Sequence, residues 1–311
     1  MPESGANFNG KLVSMPPVAM QTTTVEEAKL GWKMVIPVIL FATILILYPL
    51  TRGLLSSFQA DRSLTGGRVK WVGLRNYSEV LQDPATRAAF LHSVQYTLTA
   101  VILEVALGLV IAVTLHRAFR GRGVILAILI LPWALPSVVS GVLWRRIFDP
   151  DNGLLNDFLL RVHLINLPQV WLANEFWGRT FITVVHVWGV LPLICLIFLA
   201  GLQGIPEEVY NASAVDGAGP LRQFRFITFP LLKPAVSVAL TVGTILSISI
   251  FDEIYVLNGT ALNTRSIVMQ VYTVTFKEAD FAHGTALALI VAVITAAFAT
   301  LYILSLRRAA A

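Results

Sequence analysis

The chain has 311 residues, 56% of them hydrophobic and 13% charged, with a mean hydropathy of +0.73 and a formal net charge of +5. Ordinary soluble domains are about 45–50% apolar and about 25% charged, which excludes a soluble enzyme, a disordered chain and a fibrous protein. The lone cysteine, Cys195, can form neither an internal disulfide nor a thiolate metal cluster, and its apolar surroundings predict a buried, inert thiol. Basic residues flanking membrane spans account for the net charge without nucleic acid.

Taken in chain order, the first 31 residues are polar and carry Glu26, Glu27 and Lys29. No apolar signal-peptide core precedes the first apolar segment, which is therefore expected to remain as an anchor. A membrane helix needs roughly 20 mostly apolar residues. Six segments meet or approach that length, at about 34–50, 93–115, 124–144, 180–202, 235–257 and 284–306. They are too long for strands and lack the two-residue alternation of an outer-membrane barrel. The expected fold is an all-α integral membrane protein with six transmembrane helices, a polar tail at 1–31 and a membrane domain at 32–306. Pro37, Pro132, Pro136 and Pro192 fall inside spans. Pro132 and Pro136 stand one helical turn apart around Trp133, which predicts a bend there.

Lys and Arg divide almost evenly between the two sides, so orientation rests on short segments near span ends, where the positive-inside rule is strongest. Arg117, Arg120 and Arg122 crowd the connection at 116–123, and Arg307 and Arg308 follow the last span. Both termini are thus expected in the cytoplasm. The two longest connections, at about 51–92 and 145–179, then lie outside. Thr65-Gly66-Gly67, Asp83-Pro84 and Asp149-Pro150-Asp151-Asn152-Gly153 predict turns within them, so both read as small folded caps.

The connection at 203–234 carries the most information. Pro206 suits a first helical position, Glu207 and Glu208 suit a positive helix N-terminus, and Gly217 suits the far end. These signals predict a helix over 206–216, with Ile205, Val209 and Ala212 forming one narrow apolar stripe. A second helix is expected from Pro220 through 221–229, ended by Pro230 and Pro234 before span five.

The run Ile205-Pro206-Glu207-Glu208, followed by Ala212, Asp216-Gly217-Ala218, Phe224, Ile227, Pro230 and Pro234, resembles the EAA loop of binding-protein-dependent ABC importer permeases, in particular the sugar-type subfamily that includes the maltose importer. Trp71-Val72-Gly73-Leu74-Arg75-Asn76-Tyr77, Leu131-Pro132-Trp133-Ala134-Leu135-Pro136, Gly153-Leu154-Leu155-Asn156 and Ile250-Phe251-Asp252-Glu253-Ile254-Tyr255-Val256-Leu257 are similar to further segments of these permeases. The resemblance implies that the loop helix couples to a separate ATPase, with Glu207, Glu208, Asn211, Ala212, Ser213, Asp216, Gly217 and Ala218 as its coupling residues. It also implies a second permease subunit, two ATPase subunits that bind ATP and magnesium, and an extracytoplasmic solute-binding protein, in a prokaryotic inner membrane. Two departures stand out. The E-A-A core reads Asn211-Ala212-Ser213, without the charged residue, and Asn258-Gly259-Thr260-Ala261 replaces the usual T-G-G-P run after span five.

Ionisable residues inside spans are functional candidates by default. Glu104 lies in span two, where it either faces a translocation path or pairs with a cation such as His186. Asp252 and Glu253 lie near the end of span five beside Tyr255 and Asn258. Carboxylates with aromatic rings suit carbohydrate, whose hydroxyls want acceptors and whose C–H faces want rings. Asp252 and Tyr255 are three residues apart and share a helix face, whereas Glu253 points about 100° away. The substrate-path candidates are thus Glu104, Trp188, Asp252, Tyr255 and Asn258, with Glu253 the structural partner. No His pair has metal-ligand spacing, no phosphate-cradling G-x-x-x-x-G-K-[ST] run is present, and no nucleophile–base pair is evident. The expected function is import of a di- or oligosaccharide. A glycerol-phosphate or polyol permease is the nearest alternative, and an ion-gradient-driven secondary transporter using Glu104 and Asp252 is the rival from another class.

Overall fold

The computed structural model describes residues 25–60 and 69–310, without the side chains of 25–31 and of most positions after Leu301. The tail up to residue 24, the Thr65-Gly66-Gly67 turn and the side chains of Arg307 and Arg308 lie outside the described residues. Among those described there is no β-strand, only an isolated bridge between Gln59 and Trp71. Helices are α1 (Val25–Ala42), α2 (Tyr48–Ser57), α3 (Arg75–Gln82), α4 (Pro84–His116), α5 (Arg122–Ala134), α6 (Ser137–Ile147), α7 (Leu154–Arg161), α8 (Glu175–Gln203), α9 (Glu207–Val215), α10 (Pro220–Gln223), α11 (Phe229–Leu231), α12 (Lys233–Ile248), α13 (Asp252–Asn258), α14 (Ile267–Tyr272) and α15 (Phe281–Ala310). Wider π-type turns follow α1, α10 and α14.

The chain divides into two compact units, Met1–Arg52 and Gly53–Ala311. In the first, α1 continues through the π turn Thr43–Leu47 into α2, and the apolar side chains from Trp32 to Leu50 are exposed, as suits a helix in contact with lipid.

Among the described residues four helical stretches are long and apolar enough to cross a membrane: Trp32–Ser57, Pro84–His116, Glu175–Gln203 and Phe281–Leu301. Counting each of two bent pairs as one span brings the number to six. α5 and α6 meet at 99°, at the Leu135-Pro136 junction, so the third expected span is two helices rather than one rod. Pro132 and Pro136 each lack an amide hydrogen, and Leu135 is extended (φ −85°, ψ 136°), as the residue before a proline prefers. The second pair, 220–231 and Lys233–Ile248, bends by 66° at Leu232. The expected stop at Pro230 is therefore displaced: Pro230 rides inside α11, and Pro234 sits in the first turn of α12, where a proline is tolerated.

Span two begins earlier than the apolar run suggests. Asp83 caps α4 by accepting the Thr86 amide at 2.7 Å, and Pro84 takes the first helical position, so Asp83-Pro84 opens a 33-residue helix. Span five ends earlier. α12 stops at Ile248, residues 249–251 are irregular, and α13 restarts at Asp252. Phe251 lies off the helical region (φ −142°, ψ −57°), and the Ser266 hydroxyl donates to the Ile250 carbonyl at 2.8 Å, replacing a helical bond.

α4, α8 and α12 form the core of the second unit around Ala112, Leu115, Ile194, Phe198, Leu202 and Ala239. A second cluster, including Tyr96, Phe148, Ile182, Ile254 and Met269, surrounds α13. Small residues set the close contacts, as is usual between membrane helices. The backbone of 264–267 closes over α4: Tyr96 donates to the Thr264 carbonyl at 2.9 Å, and Ser93 accepts the Ile267 amide at 2.7 Å. Two buried asparagines knit the long connections. Asn76 donates to the carbonyls of Ser57 and Gln59, both at 2.8 Å. Asn156 donates to those of Pro150 and Gln169 and accepts from the Gln169 amide and the Trp171 indole.

α6 reaches α13 through Gly141, where an added Cβ would lie 2.9 Å from Val256 Cβ. Gly141→Ala should lower the stability of the purified protein by about 1–3 kcal/mol, the usual effect of overpacking. Gly123→Ala, at a site with nothing within 4 Å, should not. Thermal unfolding in detergent measures both.

Candidate functional site

The loop helix α9 is built as its local signals predict, one residue shorter at each end. Pro206 is its N-cap instead of its first helical residue, with Glu207 and Glu208 in the first turn. At the other end Gly217 takes φ +75°, the Gly217 amide donates to Ala214 O at 3.0 Å and the Ala218 amide to Ser213 O at 2.9 Å. This pair of bonds is a Schellman cap, which needs a residue free to adopt the left-handed conformation.

The helix buries no residue of its own. Of the expected apolar stripe, Ile205 packs on the core, whereas Val209 and Ala212 are exposed. The face turned to the rest of the chain is polar instead. The Tyr210 hydroxyl lies 3.0 Å from Thr228 Oγ1, and the Gln223 amide donates to Ser213 Oγ at 2.9 Å and to Tyr210 O at 3.3 Å. Ser213 is thus tied inside the loop, while Glu207, Glu208, Asn211, Ala212 and Asp216 face outward. Val215 and Leu221 are 88% and 81% exposed. An open groove of about 730 Å³ runs between this loop and the ends of α4 and α8, lined among others by His116, Arg117, Gln203, Tyr210 and Gln223 and edged by the exposed Glu207 and Asn211.

The second candidate region surrounds the break in span five. Asp252 and Glu253 open α13, and its N-cap, Phe251, offers no side-chain bond. Glu253 turns toward α8, its Oε1 3.1 Å from His186 Nδ1. The other imidazole nitrogen, Nε2, lies 3.3 Å from Ser247 Oγ and 3.7 Å from Glu104 Oε1. Glu104 is fully buried, and neither of its oxygens has a hydrogen-bond partner. Gly243 gives it room: a Cβ there would lie 2.8 Å from Glu104 Oε2.

Asp252 is half-buried and Tyr255 exposed. The Tyr255 ring stacks on Phe251 (5.8 Å, 13°) and meets Tyr272 edge-on (5.6 Å), and Tyr272 continues to Phe276. Asn258 donates to Thr264 Oγ1 at 2.9 Å, and Trp188 packs edge-on against Trp144 of α6 at 5.6 Å. The structure therefore gathers Glu104 and Glu253 around His186, and Tyr255 among aromatic rings. It gives Asn258 and Trp188 partners of their own. Among the described residues no group of His, Cys, Asp and Glu is placed to hold a metal ion.

Away from the spans, α3 leans on the start of α15. Glu79 accepts from Arg75 at 2.7 Å and lies 2.9 Å from His283 Nε2. The Arg75 guanidinium and then the imidazole hold its carboxyl below the usual carboxylate range.

Residues 104–310 match the family described as binding-protein-dependent transport system inner membrane component. The chain belongs to this family. The trehalose/maltose transport system permease protein MalF of Thermococcus litoralis is 33% identical over 280 residues, 89% of this chain and 94% of that one. The trehalose transport system permease protein SugA of Mycobacterium tuberculosis is 29% identical over 89% of this chain and 88% of that one. A chain from a crystal structure of a bacterial ABC transporter involved in the import of the acidic polysaccharide alginate has the same fold, with a TM-score of 0.81 at 19% identity, covering 91% of this chain and 97% of that one. Both candidate regions fall inside the family's matched segment.

Sequence reasoning alone did not find the His186–Glu253 and His186–Ser247 contacts or the aromatic group around Tyr272. The first two join residues 67 and 61 positions apart, beyond any periodic signal. The available hints were the presence of His186 and Glu104 in spans and the helical offset that turns Glu253 away from Asp252.

Proposed function

We propose that this inner membrane component is a permease subunit of an ATP-driven importer for a di- or oligosaccharide. The observation that carries the reading is the near full-length similarity to permeases named for trehalose and maltose transport. It is joined by a capped loop helix that presents its polar and apolar side chains outward. The chain itself performs no covalent chemistry. ATP and magnesium belong to two separate ATPase subunits, and the working assembly adds a second permease and an extracytoplasmic solute-binding protein.

The loop at 203–234 supplies the mechanical link. α9 is capped at its C-terminus through Gly217 and tied to Gln223 and Thr228, so a push on its outward face reaches α12 through the bend at Leu232. Val215 and Leu221 offer apolar area to an ATPase surface. The absence of a charge at Asn211 removes an ion pair but not this rigid shape. On the substrate side, Asp252 supplies an acceptor for sugar hydroxyls and Tyr255 a ring for C–H faces.

Both assignments are read in one preparation, the assembled transporter in liposomes. Gly217→Val places a β-branched residue at φ +75° and should leave ATP hydrolysis while abolishing most disaccharide uptake. Normal uptake would sink the coupling assignment. Asp252→Asn weakens one hydrogen bond to a charged acceptor, about 1.5–3 kcal/mol, and should raise the half-saturating sugar concentration about ten-fold or more. An unchanged value removes Asp252 from the sugar site.

The same reading places both termini and the 203–234 loop in the cytoplasm, supported by Arg117, Arg120 and Arg122. A reporter active only outside the cytoplasm should work when inserted near Asn152 and fail when fused after Ala311. The reverse pattern overturns the topology and the coupling role together.

A further inference from the structure

α13 is a helix of seven residues, too short to hold itself together in isolation. Its placement comes from what it touches. Ile254 and Leu257 are buried in the second core cluster, and Val256 meets Gly141. Apolar contacts of this kind are non-directional and leave rotation about the helix axis weakly set. The directional contacts are polar: at the far end Arg145 donates to the Val256 carbonyl at 3.2 Å and Asn258 to Thr264 Oγ1 at 2.9 Å, and in the first turn, beside Asp252 and Tyr255, Glu253 Oε1 stands against His186 Nδ1 of α8 at 3.1 Å. Asp252 stands one residue before Glu253 and Tyr255 two after it. Whatever fixes the azimuth of Glu253 therefore fixes theirs, at 100° per residue.

His186 is itself held. Its side chain is 5% exposed, Ser247 of α12 lies within bonding distance of Nε2, and the buried Glu104 of α4 stands just beyond at 3.7 Å. One imidazole thus touches α13 and α12 and is backed by α4, while belonging to α8. Glu104 makes no hydrogen bond, and a buried carboxylate without one is retained only when something offsets its burial. The nearest such group is this imidazole. Gly243 keeps the arrangement close, since a side chain there would push Glu104 out of place.

We propose that His186 is a positioning residue of the substrate path: it holds Glu253 through Nδ1, with Ser247 and Glu104 steadying the ring from behind, and so sets the rotation at which α13 presents Asp252 and Tyr255. This rests on the reading of Asp252 and Tyr255 as the sugar-facing side of α13. A residue that merely stabilised the fold would lower the amount of assembled transporter or the maximal rate. A positioning residue instead moves the affinity.

The test uses the assembled transporter in liposomes, with maltose and trehalose as probes over a wide concentration range. His186→Ala should raise the half-saturating concentration about ten-fold while the maximal rate stays within about two-fold. Glu253→Ala should reproduce that shift, and the double variant should be no worse than either single. His186→Gln, whose amide can still donate to Glu253, should recover most of the affinity. A second readout needs no sugar: Tyr255→Cys should react with a water-soluble maleimide at a rate that His186→Ala changes several-fold. Cys195 is buried and adds no background.

Unchanged half-saturation and unchanged labelling in the His186 and Glu253 variants overturn the proposal, as does a fall in maximal rate alone. If His186→Ala fails to assemble, Glu253→Ala and His186→Gln decide by the same criteria. A silent Asp252→Asn with altered Tyr255→Cys labelling refutes the sugar-facing reading and keeps the positioning role. An effective Asp252→Asn with silent His186 and Glu253 variants refutes the positioning role alone.

Discussion

A helix crossing a bilayer can be interrupted only where the protein itself takes up the backbone groups that are freed. At 249–251 the Ser266 hydroxyl takes up the Ile250 carbonyl. Without that bond α12 would have to run on as helix through Phe251, and Asp252, Glu253 and Tyr255 would take the azimuths of a continuous rod. The break lets α13 start afresh, with Glu253 turned onto His186 and Tyr255 turned into a group of rings. The same serine also caps α14 by accepting the Met269 amide. One side chain thus ends one helix and begins another.

The polar cluster behind the break joins segments that the apolar core alone would leave free to slide. α4, α8 and α12 meet over small residues, with Gly108 against Ile194 and Gly201 against Ala235. Such surfaces permit close approach and several neighbouring registers. Glu104, His186 and Ser247 are buried and Glu253 is partly so, which leaves their polar atoms few alternative partners and favours one register. On the other side of the molecule the logic is reversed. α9 buries nothing, so its shape comes from its own caps and from the Tyr210, Ser213 and Gln223 bonds.

How far the sequence could be read follows from the range of each interaction. The helical membrane class rests on composition and run length, and the caps of α9 lie within a dozen residues of each other. Both are local and legible. The prolines around Trp133 announce a bend but not its 99°. Asp83-Pro84 has the composition of a turn, yet it starts a helix, because the Asp83 carboxylate accepts the Thr86 amide and Pro84 fits the first helical position. Asn76 and Asn156 are visible as parts of recognisable segments, yet their role as buried knots appears only once their carbonyl partners are in place. The break at 249–251 left no mark in hydropathy, because the residue that makes it possible, Ser266, lies beyond the span. The Glu253–His186 contact was hidden for the same reason.

The closure of 264–267 over α4 has a consequence for how the protein is made. The Tyr96–Thr264 and Ser93–Ile267 bonds join residues 168 and 174 positions apart. At a synthesis rate of about 5–20 residues per second, roughly 8–35 seconds separate the emergence of the two partners. During that interval α4 is already in the bilayer with the Ser93 and Tyr96 hydroxyls unmet and its contact surface for α12 uncovered. The nascent chain must be sheltered until its last third arrives, so its yield in a cell depends on the insertion machinery's patience as much as on the stability of the finished fold.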